Sequence, residues 1–137
     1  MGTFYVGCHL ENHIDRRKAI RIPKLLVDTG SEYTWISEHN LKKIEVVPEK
    51  KDVAFIMANG QMVTRSVGFA IIRLDEYFTI DEIVFAKHSD LQLLGARTLD
   101  GLNLTVDSRR KKLVAAGPLP AANSIPATSI LKIDKIT

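Results

Sequence analysis

One cysteine, Cys8, stands in 137 residues, so no intrachain disulfide can form and a reducing compartment is the simpler setting. No apolar run approaches the roughly 20 residues of a membrane-spanning helix. Charged and polar residues between Glu11 and Lys18 also leave no apolar stretch for a leader near the N-terminus. A cytoplasmic protein with no membrane partner is expected. A basic excess is missing too: 19 Lys and Arg against 16 Asp and Glu leave a net charge of +3, well short of what phosphate-backbone binding requires. Nucleic acid is therefore not an expected partner. His9 and His13 are four apart, but Leu10-Glu11-Asn12 between them is not the zinc-protease order, and a strand-to-turn context does not set both on one helix face. No metal and no cofactor is expected, and no repeat of solenoid period is present.

What the chain has is an ordinary globular balance, 45% hydrophobic and 26% charged, at a length that suits one core and not two full lobes. Thr3 to Leu10 reads as a strand, followed by a polar break at Glu11-Asn12-His13. Ala19 to Ile22 forms a second strand, Pro23 interrupts, and Lys24 to Asp28 forms a short buried one. Ser37 caps a helical turn over Glu38 to Lys43, and Pro48 with Glu49 to Asp52 makes a surface connection. Val53 to Met57 and Gln61 to Leu74 form a long hairpin around Ala58-Asn59-Gly60, where Asn-Gly supplies positive φ angles. Phe78 to Phe85 is a strand with Asp81-Glu82 as a polar interruption, and Lys87 to Asp90 is a polar loop. Leu91 to Leu94 is an apolar run halted by Gly95, and Arg97 to Gly101 makes one helical turn. Asn103 to Asp107 and Lys112 to Ala116 close as a hairpin. Residues 1–116 are thus expected to form the domain. Residues 117–137, rich in Pro, Ala and Ser, form a tail in which Ile130 to Thr137 has strand character.

The chemistry gathers at Leu25-Leu26-Val27-Asp28-Thr29-Gly30-Ser31, where an apolar run delivers a carboxylate and two hydroxyls into a tight turn. A bare Asp-Thr-Gly is also an ordinary turn, so its context decides. Far downstream a second apolar run ends in glycine, Leu93-Leu94-Gly95, and the hairpin lies between the two. This paired pattern resembles the single-lobe, retropepsin-like aspartic proteases. The likeness extends over Asp28-Thr29-Gly30-Ser31-Glu32-Tyr33-Thr34-Trp35, Ala58-Asn59-Gly60, Val67-Gly68, Leu93-Leu94-Gly95-Ala96 and Leu99 to Asp107, roughly residues 20 to 116, and looks like a bacterial and archaeal branch.

The resemblance implies an all-β fold, a closed barrel of the acid-protease type with a flap hairpin and one short helix, working as a homodimer. Two closely spaced carboxylates share a proton, so one activates water while the other protonates the substrate carbonyl. The chain holds only one Asp-[Ser/Thr]-Gly, so a second copy must supply the other carboxylate across a twofold axis at Asp28. Asp28, Thr29 and Gly30 are thereby the expected catalytic turn, with Thr29 bonding across the axis and Gly30 allowing close approach. Ser31 stands where many such sequences carry alanine, and its hydroxyl is expected to donate to Asp28. Substrate, an extended peptide or protein, is expected against Ser31, Glu32, Ile56, Met57, Ala58, Asn59, Gly60 and Leu93, with Leu94 and Gly95 structural behind the turn. Retroviral proteases usually follow this glycine directly with arginine, whereas here Ala96 intervenes, which argues against a Glu32–Arg97 ion pair. The rival reading is a protease-like fold kept as a dimerisation or peptide-binding module with little activity. A third is an enzyme that processes one partner or its own tail after Gly117. Trp35 is read as a core anchor, Cys8 as inert, and the basic runs Arg16-Arg17-Lys18 and Arg109-Arg110-Lys111-Lys112 as solvated turns.

Overall fold

Short-period alternation of apolar and polar residues folds most of the chain into strands. The computed structural model describes residues 3–120, so the strand expected over Ile130 to Thr137 lies outside the described residues. The order is β1 (Tyr5–Asn12), β2 (Ala19–Val27), β3 (Thr34–Ser37), α1 (Glu38–Lys43), β4 (Lys50–Ile56), β5 (Met62–Leu74), β6 (Tyr77–Ala86), β7 (Leu93–Leu94), α2 (Ala96–Leu102), β8 (Leu104–Asp107) and β9 (Lys112–Ala115). Seven strands form one sheet in the order β1-β2-β7-β3-β6-β5-β4, and β1 also pairs with the C-terminal half of β5, from His9 opposite Arg73 to Asn12 opposite Ala70. β8 and β9 form a separate two-stranded sheet, with Leu104 opposite Ala115 and Asp107 opposite Lys112.

The fold is mostly β, as expected, but it departs from the sequence reading in four places. Pro23 does not break the second strand: β2 runs from Ala19 to Val27 as one element. The register shifts where Gly7 of β1 alone faces Pro23 and Lys24, so β2 bulges at the proline, which has no N–H to donate. The charged segment from Lys50 to Asp52 is strand and not connection, with Lys50 opposite Val67 and a bulge before Val53. Two short helices form, at both helical turns read from the sequence, where the family resemblance implied one. The first is capped by Ser37, whose hydroxyl accepts from the Asn40 N–H at 3.2 Å, and the second begins at Ala96 and stops at Asn103 in the left-handed conformation. At the hairpin tip only Gly60 takes a positive φ, +84°, and the Gly60 N–H donates to the Met57 carbonyl at 2.8 Å. The loop is therefore the three-residue Ala58-Asn59-Gly60 connection read from the sequence, closed by a glycine bulge, with the positive φ at Gly60 but not at Asn59.

The main core joins Cys8, Leu10, Ile22, Leu25 and Val27 from β1 and β2 with Ile36, Leu41, Ile72, Ile83, Phe85, Leu94, Leu99 and Leu104. Leu93, Trp35, Val67, Val84 and Ala86 form a second cluster on the other face, under β4 and β5. Adjacent residues Leu93 and Leu94 thus serve opposite faces of one strand, as period-2 geometry requires. At the turn end of the β1–β2 hairpin, buried Asn12 donates to the carbonyls of Ile44 and Glu45 at 2.9 and 3.0 Å, tying that end to the exit of α1.

Cys8 is 1% exposed, and burial pushes its thiol up to about 12 against the opposing influence of Arg21. The native protein at pH 8 should therefore resist a chromogenic disulfide reagent, and urea should release a single reactive thiol. Labelling of the native chain at the rate of free cysteine would contradict this burial.

Candidate active site

β2 ends by delivering Asp28 into a turn closed by its own backbone. The Ser31 N–H donates to the Asp28 carbonyl at 3.2 Å, and the Gly30 N–H donates to Asp28 Oδ1 at 3.0 Å. A Cβ on Gly30 would sit 3.2 Å from that same oxygen, so glycine keeps the carboxylate uncrowded. Asp28 is partly exposed, and Thr29 and Gly30 are exposed at the apex of the turn. The Ser31 hydroxyl does not reach Asp28: it donates to the Tyr33 carbonyl at 2.9 Å, bracing the descending limb of the turn. The expected Ser31 contribution to the ionisation of Asp28 is thereby withdrawn.

Behind the turn, β7 is wedged between the two strands that flank the motif. Leu93 and Leu94 run parallel to Leu26 and Val27, and Leu93 also pairs antiparallel with Trp35. The Asp28 N–H donates to the Leu94 carbonyl at 3.0 Å, the Ala96 N–H to Ser31 at 2.7 Å and the Arg97 N–H to Glu32 at 3.0 Å. Gly95 fits because it lacks a side chain: a Cβ there would lie 2.8 Å from the Glu32 carbonyl oxygen and nearer still to the carbonyl of Tyr33. Its N–H donates to Thr34 Oγ1 at 2.9 Å, and Thr34 Oγ1 lies 2.6 Å from Thr98 Oγ1. The Thr98 hydroxyl donates to Asp81 Oδ2 at 2.8 Å.

The β4–β5 hairpin packs on the same side through its inward residues. Phe55 meets Tyr33 and Trp35 edge-on, each with ring centres 5.3 Å apart, and Met57 and Val63 join the cluster that contains Leu93. Of the residues expected to meet substrate, Met57 and Leu93 are brought together. Ile56 is 74% exposed and lies on the opposite face of its strand from Phe55 and Met57. Ala58, Asn59 and Gly60 form the exposed tip, where Asn59 Oδ1 accepts from the Gln61 N–H at 2.9 Å. Glu32 is exposed beside the turn. A cavity of about 210 Å³ lies elsewhere, between Thr29, α2 and β8, and is lined by Ala96, Leu99 and Val106 among others. It is below the roughly 300–1,000 Å³ of ligand pockets and has room for a side chain, not for a peptide.

A family model described as aspartyl protease matches residues 20–96, a span that runs from β2 through the turn, the hairpin and β7 to the start of α2. The chain belongs to the retropepsin-like aspartyl protease family. No individually curated protein matches it in sequence. The matched span contains both the Asp-Thr-Gly turn and the Leu-Leu-Gly strand behind it, so the family assignment and the geometry rest on the same residues.

Several groups around this aspartyl protease site had only a faint signal in the sequence. Asp81-Glu82, an unexplained polar pair in an apolar strand, is the clearest: Asp81 receives Thr98, and Glu82 receives Lys50 and Arg97. Lys50 hydrogen-bonded to Glu82 holds its carboxyl below the usual range, aided by Arg97 and the Tyr33 hydroxyl against the opposing effect of burial. Arg97 does not pair with Glu32; its guanidinium stacks 4.7 Å over the Tyr33 ring and reaches Glu82 at 3.3 Å. On the far side of the hairpin, Arg65 clasps Asp90 with two bonds of 2.7 and 2.9 Å, pinning β5 to the 87–90 loop. Arg65 depresses the Asp90 carboxyl, helped by the Lys87 N–H.

Two consequences follow from these contacts. Because Asp90 and Glu82 titrate below their unfolded values, their stabilisation is complete above those values, near pH 5, and is lost as the pH falls through the depressed ones. Urea midpoints should therefore decline below about pH 4 in the wild type, and less steeply in Asp90→Asn. The Gly95→Ala variant should lose on the order of 3 kcal/mol or fail to fold, because the added methyl meets backbone and not a movable side chain.

Proposed function

We propose that the protein is a homodimeric aspartic endopeptidase whose single active site is assembled from the Asp28 carboxylates of two copies. The observation that carries this reading is the Asp28-Thr29-Gly30 turn, partly exposed at the end of β2 and backed by the Leu94 carbonyl, in a chain with no second Asp-[Ser/Thr]-Gly. One such carboxylate is half of the chemistry. Across a twofold axis the pair shares one proton: the ionised Asp28 takes a proton from a water held between them, and the water oxygen attacks the scissile carbonyl carbon. The protonated Asp28 gives its proton to the carbonyl oxygen, forming a tetrahedral diol. In collapse of the diol, the carboxyl that took the water proton gives it to the nitrogen while the other carboxylate takes a proton from a diol hydroxyl. The C–N bond breaks, and an amine and a carboxylic acid are released with the dyad restored to one proton.

Thr29, exposed at the apex, serves as the contact between the two turns, and Gly30 keeps the carboxylates approachable. The β4–β5 hairpin acts as a flap over an extended peptide, which binds through backbone hydrogen bonds with side chains in apolar pockets. Leu93 and Met57 in one cluster support an apolar preference. The pairing of β1 with both β2 and β5 supports the closed barrel of the acid-protease fold, with β4 as the outlying flap strand. A single, buried cysteine is compatible with a reducing, cytoplasmic setting.

Digestion of a peptide library from pH 4 to 7 should give cleavage that Asp28→Asn lowers by on the order of 10³-fold or more. When wild type and Asp28→Asn are mixed in equal amounts and allowed to exchange, activity should fall to about one quarter, because only wild-type pairs keep both carboxylates. A fall to one half would show independent sites. Peptide binding without Asp28-dependent cleavage would instead mark a binding module.

A further inference from the structure

The Asp28 turn is held from behind by β7, and β7 is held in turn by a chain of buried hydroxyls. Thr34 and Thr98 are both 0% exposed, and each hydroxyl has a single proton to donate while it can accept. The two ends of their chain have fixed character. The Gly95 N–H can only donate, and the Asp81 carboxylate can only accept, taking Thr98 on Oδ2 and the Glu82 N–H at 2.7 Å on Oδ1. The proton order is therefore forced: Gly95 N–H to Thr34, Thr34 O–H to Thr98, Thr98 O–H to Asp81. No other order satisfies all four groups.

We propose that Thr34, Thr98 and Asp81 form a positioning relay for Asp28, with the Asp81 carboxylate on β6 setting its direction. The relay fixes Gly95. Gly95 follows directly on Leu94, whose carbonyl takes the Asp28 N–H, and a clash-free fit at Gly95 requires its spacing from Tyr33 to be held. The relay thus joins β3, β6, β7 and α2 at the one point where all of them pass behind the carboxylate. None of its three residues belongs to the Asp-Thr-Gly turn. Because pre-oriented carboxylates matter most in the transition state, its loss acts on turnover more than on binding. The inference rests on Asp28 being the catalytic carboxylate, but its structural half stands on its own.

The test uses the full chain, carrying Thr98→Val, Thr98→Ser, Asp81→Asn or Asn12→Ala, with two readouts: amide exchange at Gly95 and Asp28 by NMR, and steady-state kinetics on a peptide cleaved by the wild type. Thr98→Val removes the middle hydroxyl at nearly constant volume, and both amides should exchange about tenfold faster or more. Turnover should fall by about tenfold, with KM changed less than about twofold, and Thr98→Ser should restore both. Asp81→Asn keeps an acceptor for only one of the two donors, so its exchange and turnover should fall between wild type and Thr98→Val; it also serves if the valine variant does not fold. Asn12→Ala, which removes a buried clamp remote from the turn, should lower thermal stability and leave turnover of the folded protein near wild type. Wild-type exchange at Gly95 in both Thr98→Val and Asp81→Asn would overturn the relay. So would a turnover loss in Asn12→Ala equal to that in Thr98→Val. If the wild type cleaves no peptide in an Asp28-dependent way, the protease reading fails while the exchange readout still decides whether the relay exists.

Discussion

Two residues of extended chain, Leu93 and Leu94, carry the architecture around the site. They lie between β2 and β3, parallel to one and antiparallel to the other, and among the described residues no other element bridges the two strands that flank the Asp-Thr-Gly turn. The wedge lets the Asp28 N–H find a backbone partner, sends one leucine to each of two apolar clusters, and starts α2. A turn bearing an exposed carboxylate is a poor place to store rigidity, so the rigidity is supplied from behind.

The constraint on Gly95 follows from the same wedge. The Ala96 and Arg97 N–H groups must reach the Ser31 and Glu32 carbonyls while the chain turns from strand into helix, and that brings Gly95 against the backbone of Tyr33. Only a residue without a side chain passes there. Buried hydroxyls then complete the backbone hydrogen bonds that neither sheet nor helix accounts for, and each polar group in the chain from Gly95 to Asp81 has a partner.

The hairpin is tied down differently on its two sides. Inward, it rests on aromatic edges, Phe55 against Tyr33 and Trp35, and Tyr33 is itself covered by Arg97. At its base, Lys50 meets Glu82 and Arg65 meets Asp90, so charge pairs hold the strands while the tip from Ala58 to Gly60 stays exposed. Such a division keeps the base in register and leaves the tip exposed to solvent.

Much of this was legible in the linear chain. Most strands, the Ser37 cap, the position of the hairpin tip and the pairing of Asp28-Thr29-Gly30 with Leu93-Leu94-Gly95 follow from local periodicity, turn chemistry and a recognisable motif. What the chain order could not convey was partnership at long range. Arg97 reaches Glu82 across the fold, Pro23 sits inside a strand because β2 bulges at Pro23-Lys24 opposite Gly7, and even the nearby Ser31 turns to the Tyr33 carbonyl and not to Asp28. Thr34, Thr98 and Asp81 are 64 and 17 residues apart along the chain and meet only because β3, α2 and β6 converge behind the turn. A hydroxyl or a carboxylate has several possible partners in sequence, and only the packing that removes water decides which one it takes.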